Sequence, residues 1–258
     1  MNVSKESVEI STGSLFLKAS LVPWDTEVFQ FPVAQITHID VMNTDQASKD
    51  YSVFQEWVDV NMCSLISCRL SHSQMLESIL LEGKGFRFIE MVLHPKFEGL
   101  EKLNIPHQDL QVDPANIGDL PVLRQIAESA FGHERFHCDP RLDRRRGDLR
   151  YGRWVANTLT HPRQQLLKIL DGESLIAFFI IETKDDGTVY WHLTAVSPEY
   201  QGRGYGRRVW LTMLHYHQKA GHRAVSTTIS ARNTPVLNLY ASLNFRFLPP
   251  EMTFHWVK

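Results

Sequence analysis

This chain has few of the features that settle a protein's class at sight. Its 258 residues include only three cysteines (Cys63, Cys68, Cys138) and no C-x-x-C pair. That excludes an all-paired disulfide framework and a thioredoxin-type redox centre. No apolar run approaches the roughly 18 residues of a membrane helix, and the opening MNVSKESVEISTGS lacks a signal peptide's apolar core. With 27 Lys and Arg against 29 Asp and Glu, the formal net charge is -2. Nothing there would draw in nucleic acid or an anionic membrane. There is no low-complexity tract and no G-K-[ST] triplet of a P-loop. A reducing cytoplasm is the expected compartment, with neither nucleic acid nor membrane as partner.

What the chain does have is a full complement of core formers, 43% hydrophobic, enough for one large domain or two of ordinary size. Everything is organised around residues 189–206, VYWHLTAVSPEYQGRGYG. Residues 189–196 are apolar, β-branched and aromatic, and the run stops at Ser197-Pro198, as a strand should. Gly202, Gly204 and Gly206 then leave three backbone positions without a Cβ. Val209, Met213, Tyr216 and Ala220 follow at helical spacing until Gly221. Glycines leading into a helix N-terminus make a pyrophosphate cradle from free N–H groups and the positive end of the macrodipole. A dinucleotide fingerprint would need other glycine spacing and an acidic residue about 20 positions on.

The hexapeptide Gln201-Gly202-Arg203-Gly204-Tyr205-Gly206 resembles the [QR]-x-x-G-x-[GA] coenzyme A loop of the GNAT superfamily of N-acetyltransferases. A second match is Asn233 with Tyr240, which resembles the family's N-x-x-A-x-x-L-Y-x-x-x-G-F, Asn244 standing where the glycine is usual. Asn tolerates the left-handed conformation required there. The resemblance implies an α/β (α+β) fold, a mixed and mostly antiparallel sheet flanked by helices. It covers about 150 residues in the order β-α-α-β-β-β-α-β-α-β. It also implies acetyl-CoA as co-substrate, direct transfer to an amine, and no metal.

In the N-terminal third, residues 15–21 and 33–41 alternate as strands across a Pro-Trp-Asp-Thr-Glu turn, and residues 46–60 read as helical. A strand at 63–69, a helix at 73–82 and a strand at 86–93 follow. The stretch LLEGKGFRFIEMVLH from Leu80 echoes LYASLNFRFLPPEMTFH from Leu239, which suggests a degenerate half of the same fold without a glycine loop. Trp24-Asp25-Thr26-Glu27-Val28-Phe29 resembles the W-[DE]-[ST]-E-x-F element of the dTDP-fucosamine acetyltransferase group, whose enzymes are two-lobed. Phe31-Pro32 departs from that group where a glycine is expected. Residues 100–107 hold a proline and few large apolar side chains, so the expected lobes are 1–105 and 106–258.

Beyond the linker come a strand at 109–113, a helix from Asp119-Leu120-Pro121, and the arginine-rich FGHERFHCDPRLDRRRGDLR. Four readings fit that segment: a nucleic-acid patch, a metal site (His133, His137, Cys138, Asp139), plain solvated surface, or an acceptor-binding loop. The balanced charge disfavours the first, and no second ligand cluster supports the second. By the GNAT resemblance, Arg135, Phe136 and His137 border the acceptor cleft. Arg-Phe-His followed by Asp139-Pro140, and then a helix with Tyr151, Trp154 and Asn157, also resembles the dTDP-fucosamine acetyltransferase group. The two resemblances make a nucleotide-linked amino-sugar the expected small-molecule acceptor, whose diphosphate guanidinium forks suit. Another amine (amino acid, polyamine, antibiotic or protein) and a coenzyme A-binding regulatory module without turnover are the alternatives. A helix at 151–159, strands at 164–170, 174–183 and 224–229, a helix from 233 and a last strand at 245–257 complete the order.

By the same resemblance, the backbone of Leu193, Thr194, Ala195 and Val196 pairs with pantetheine. The amides of Arg203, Gly204, Tyr205 and Gly206 hold the pyrophosphate beside Gln201 and Gly202, with Arg203, Arg207 or Arg208 adding charge. Asn233 meets the coenzyme arm, and Tyr240 is the proton donor to the departing thiolate. The base is either His192, which has a suitable pKa, or a water relay to backbone carbonyls. The choice turns on strand register. The oligomeric state stays open, a homodimer among the options.

Overall fold

A computed structural model describes residues 2–258. The chain divides into two compact units. One comprises the chain up to Val92 with Cys138–Leu142 and Pro249–Lys258, the other Leu93–His137 with Asp143–Leu248. The expected boundary after residue 105 falls inside the second unit. Leu100 and Ile105 are buried in that unit's core, and Gln218 Nε2 donates to the carbonyls of Leu100 (2.6 Å) and Leu103 (2.8 Å).

The first unit runs β1 (Asn2–Val3), β2 (Ser7–Ser11), β3 (Leu15–Leu21), α1 (Pro23–Phe29), β4 (Val33–Val41), α2 (Thr44–Asp50), α3 (Ser52–Val60), β5 (Leu65–Ser71), α4 (Met75–Gly83) and the start of β6 (Arg87–Glu98). β2, β3 and β4 form an antiparallel meander, and β5 joins β4 in parallel, from Val33↔Leu65 to Ile36↔Cys68. Two expectations change here, and a strand appears where none was expected. The Pro-Trp-Asp-Thr-Glu turn is the helix α1, with Pro23 at its start, where the missing N–H costs nothing, and left-handed Gln30 (φ 63°) at its end. The helical 46–60 stretch breaks at Tyr51 into α2 and α3. Part of the opening polar stretch pairs as β2, burying Val8 and Ile10.

The second unit continues with β7 (Gln111–Pro114), α5 (Leu120–Ala130), α6 (Arg135–Cys138), α7 (Arg144–Thr158), β8 (Gln165–Asp171), β9 (Ser174–Thr183), β10 (Val189–Val196), α8 (Tyr205–Lys219), β11 (Ala224–Thr227), β12 (Ile229–Ser230), α9 (Thr234–Ser242) and β13 (Arg246–Val257). β13 passes into the first unit at Pro249, where it pairs antiparallel with β5. α7 starts seven residues before the expected 151, because Asp143 caps Arg145 N–H at 3.0 Å and the charged first turns hide the helical pattern. The strand expected at 224–229 is two short strands.

In sheet order the unit reads β11-β10-β9-β8-β7, with β10 parallel to β11 and antiparallel to β9. Ile176 to Ile181, in β9, are all buried, since helices cover both faces there. Leu193, Ala195, Phe178 and Ile180 pack with α5 and α7. Trp191, Val196, Phe179 and Ile181 pack with α8 and α9. Each such burial contributes roughly 1.5–3 kcal/mol. The expected β-α-α-β-β-β-α-β-α-β order is borne out, with the short α6 added and the strand after α8 split into β11 and β12. Among the described residues, no helix is long and apolar enough to cross a membrane.

Candidate active site

The central feature is a strand whose neighbour leaves it. β10 and β11 pair only from Val189↔Val225 to Trp191↔Thr227, whereas β10 stays paired with β9 as far as Val196↔Ala177. The register with β9 slips between Trp191 and Leu193, so His192 is the extra residue of a β-bulge. Thr227 Oγ1 donates to Trp191 O at 2.8 Å and closes the last paired step. Ser197 N–H donates to Ile176 O, so Ser197 turns toward β9. By strand alternation Val196 and Thr194 turn their N–H and C=O groups to the side that β11 has left. Val196 O accepts from Gln201 Nε2 at 2.9 Å, which fixes the first residue of the glycine loop to the strand.

Gly202 (φ 72°) and Gly204 (φ 81°) both hold left-handed backbone that a Cβ would strain. Gly204 is the N-cap of α8 and offers no side-chain cap, so the first amides of this fifteen-residue helix have no side-chain acceptor. Those amides and the macrodipole give this end of α8 the positive potential that suits an anion. Gly206 lies within α8, where a Cβ would sit 3.5 Å from Leu239 Cδ2 on α9. Of the nearby arginines, Arg203 is exposed. Arg207 donates to Ser242 Oγ (3.0 Å), and Arg208 lies 3.7 Å from Asp171, which also accepts from the Tyr205 hydroxyl at 2.7 Å.

Tyr240 is 2% exposed, edge-on to Phe245 (4.9 Å between centroids) and Trp210 (6.0 Å). Burial pushes its phenol above the usual 10, against the downward pull of the neighbouring Trp210, Thr227 and Thr194 side chains. Thr194 and Thr227 belong to the two diverging strands, so the hydroxyl faces their fork. Asn233, expected to meet the coenzyme arm, here caps α9 through Val236 N–H at 3.4 Å.

His192 meets Glu182 Oε2 through Nε2 at 2.7 Å, beside the rings of Tyr190 (4.8 Å) and Trp154 (6.1 Å). Burial lowers its pKa below 6.5, against the upward pull of Glu182, so the imidazole is neutral at neutral pH. Glu182 also pairs with Arg163 (3.0 Å) and Lys184 (3.2 Å). Burial raises the Glu182 carboxyl, but the hydrogen bonds from His192 and Lys184 prevail and hold it below the usual value.

Of the expected acceptor residues, Phe136, His137 and Tyr151 are buried within the unit. The guanidinium groups of Arg135 (4.5 Å) and Arg150 (4.8 Å) both lie over the Phe136 ring. His137 Nε2 meets Asp148 at 2.9 Å and its ring stacks on Tyr151 at 5.8 Å. A Cβ at Gly147 would come within 2.8 Å of that imidazole, so the α7 turn needs glycine there. Trp154 donates to Gln164 Oε1 at 3.1 Å. Asp139, one of the four candidate metal ligands, instead accepts from Arg141 (2.8 and 2.9 Å) and His255 (3.0 Å) in the first unit. Among the described residues no group of three or more His, Cys, Asp or Glu side chains could hold a metal ion.

Sequence reasoning missed Glu182, Arg163 and Thr227. The hairpin turn at residues 184–188 is a signal that aligns Glu182 with the start of β10. The bulge that brings His192 to it leaves none.

Residues 120–245 match the model of the acetyltransferase (GNAT) family. No curated protein matches in sequence. Among solved structures, the chain is similar to a GCN5-related N-acetyltransferase from Sphaerobacter thermophilus at 12% identity and a TM-score of 0.68, covering 100% of this chain and 82% of that one. A functionally unknown conserved protein from Staphylococcus epidermidis gives 12% identity and 0.68, with coverage of 99% and 96%. A tandem GNAT protein from the clavulanic acid biosynthesis pathway gives 12% and 0.60, with coverage of 97% and 82%. The open strand, the glycine loop and the matched segment agree: residues 120–245 form an acetyltransferase domain of the GNAT family, and the chain has the fold of the GNAT structures.

Proposed function

We propose that the chain transfers the acetyl group of acetyl-CoA directly to a primary amine of a small molecule, with a nucleotide-linked amino-sugar as acceptor. One observation carries the transfer: the edge of β10 abandoned by β11, with the Tyr240 hydroxyl at the fork. The coenzyme supplies an activated thioester. Thr194 and Val196 offer backbone groups along that edge to its pantetheine arm, and the amides of Arg203 to Gly206 with the α8 dipole balance its pyrophosphate. An N–H on the β10 edge stabilises the tetrahedral oxyanion. Neutral His192, oriented by Glu182, takes the proton released by the attacking amine. Tyr240 donates toward the departing thiolate, and Asn233 borders the coenzyme arm at the start of α9.

The acceptor class is supported by Arg135 and Arg150, two guanidinium groups held against one ring and suited to a diphosphate, with Trp154 beside them for a sugar face. It is supported too by the likeness of residues 24–29 and 135–139 to the dTDP-fucosamine acetyltransferase group. Thiol release from acetyl-CoA, measured against a panel of amines that includes nucleotide-linked amino-sugars, tests both parts. Turnover with an amino-sugar nucleotide is the expected result. Turnover confined to amino acids, polyamines or protein amines sinks the acceptor assignment, and thiol release with none of them sinks the function.

A further inference from the structure

The first unit repeats the forked strand pair in its own residues. β4 pairs in parallel with β5 only as far as Ile36↔Cys68 and then runs on to Val41 along β3. Its register with β3 slips between Lys18 and Ala19, leaving Thr37 as the bulged residue at the point where β5 departs. β10 has the same order of events: parallel pairing to Trp191, a bulge at His192, then an edge on its own. Counting from the two bulges, Ile39 stands where Thr194 stands and Val41 where Val196 stands.

The helix after the fork repeats as well. Gln74 N–H donates to Ser71 O, and Asn233 N–H to Ser230 O, both at 3.0 Å. Phe86 N–H donates to Leu81 O at 3.0 Å, and Phe245 N–H to Tyr240 O at 3.1 Å. Gly85 (φ 87°) and Asn244 (φ 62°) make the same left-handed turn before the Phe-Arg-Phe that begins the next strand. On this alignment Gln74 takes the place of Asn233, Glu77 that of Val236, and Leu81 that of Tyr240.

The differences lie at those positions. The Gln74 amide spans the fork: Oε1 accepts from Ser71 N–H on β5 at 2.9 Å, and Nε2 donates to Ile39 O on β4 at 3.0 Å. Glu77 Oε1 accepts from Val41 N–H at 2.8 Å, and its side chain is buried. One carbonyl and one N–H of the β4 edge are thus met by an amide donor and a carboxyl acceptor of the same chain. Those are the groups that an extended amide-bearing arm would bring.

We infer that the first unit contains a second pantetheine-type slot that Gln74 and Glu77 keep permanently filled, so that the chain takes up one coenzyme molecule and not two. This rests on the reading of the β10 edge as the coenzyme site. The first unit also lacks a glycine loop after β4, where Asn43 caps α2 through Gln46 N–H. Leu81 leaves it no phenol at the fork.

The test combines a stoichiometry with a local probe. Calorimetric titration of the full chain with coenzyme A is expected to give one molecule per chain, and two per chain overturns the inference. Amide hydrogen exchange at Val41 is expected to quicken about tenfold or more in Glu77→Leu and to stay near the parent rate in Glu77→Gln, which keeps an acceptor. Unchanged exchange at Val41 in Glu77→Leu, with the variant folded by circular dichroism, overturns it too. If no coenzyme binds at all, the reading of the β10 edge falls and the slot loses its meaning, whereas the exchange data still decide whether Glu77 holds Val41.

Discussion

Replacing Tyr240 with Phe tests how the departing thiolate is stabilised, and the buried setting of the phenol bounds the size of the effect. Burial holds its pKa above the usual 10, whereas a thiol titrates near 8.5. The tyrosine is therefore the weaker acid, and complete proton transfer to the thiolate runs uphill. What it can give is a hydrogen bond that strengthens as negative charge gathers on sulfur. A hydrogen bond to a charged group is worth about 1.5–3 kcal/mol, which corresponds to roughly 10- to 150-fold in kcat. Complete general-acid catalysis would reach about 10²–10⁴. Phe keeps the contacts with Trp210 and Phe245, so the fold and the affinity for coenzyme A should hold within about twofold. The assay is steady-state thiol release from acetyl-CoA, with calorimetry for the coenzyme. Unchanged kcat refutes a role for Tyr240 in the transfer. A loss beyond about a thousandfold refutes the hydrogen-bond argument in favour of full transfer.

Two further outcomes follow from titrating groups in the same unit. Glu182 pulls the His192 pKa up against burial, so Glu182→Gln should move the acid limb of kcat/KM to lower pH, with a lower plateau. An acid limb at the parent pH would remove His192 as the base. His217 accepts from Trp191 Nε1–H at 3.0 Å beneath β10, and burial depresses its pKa to about 3. A depressed histidine contributes stability that is full above its unfolded value of 6.5 and declines as the pH falls toward 3. The decline is about 1.4 kcal/mol per pH unit. Chemical denaturation between pH 6.5 and 4 should show a shallower slope in His217→Gln, which keeps an acceptor for the indole, and equal slopes would rule this account out.

The legible parts of the fold were those written locally. β3, β4, β9 and β10 follow the alternation or apolar density of their own residues, and the glycine loop and Tyr240 are reached through their resemblance to the GNAT patterns. Pro23–Phe29 misled because proline marks a turn and a helix start equally well. Residues 144–150 misled because a helix of mostly charged residues has no apolar period to read. The fork at Trp191 could not be read from β10, since it depends on where a strand more than thirty residues later turns away. Glu182 was hidden for a related reason: its contact with His192 is set by a one-residue slip between neighbouring strands, and slips leave no mark in composition.

The slip in β10 also bears on which positions of the strand are free to change. Val189, Trp191, Leu193 and Ala195 are each committed to one core or the other, and a residue of different size at any of them disturbs close packing. The bulged position belongs to neither set. Its side chain meets only Glu182, Tyr190 and Trp154 among the contacts above, so a polar residue that can still reach Glu182, such as Gln or Ser, disturbs neither core. A saturation library at 192 should therefore yield folded protein more often than one at 191 or 193.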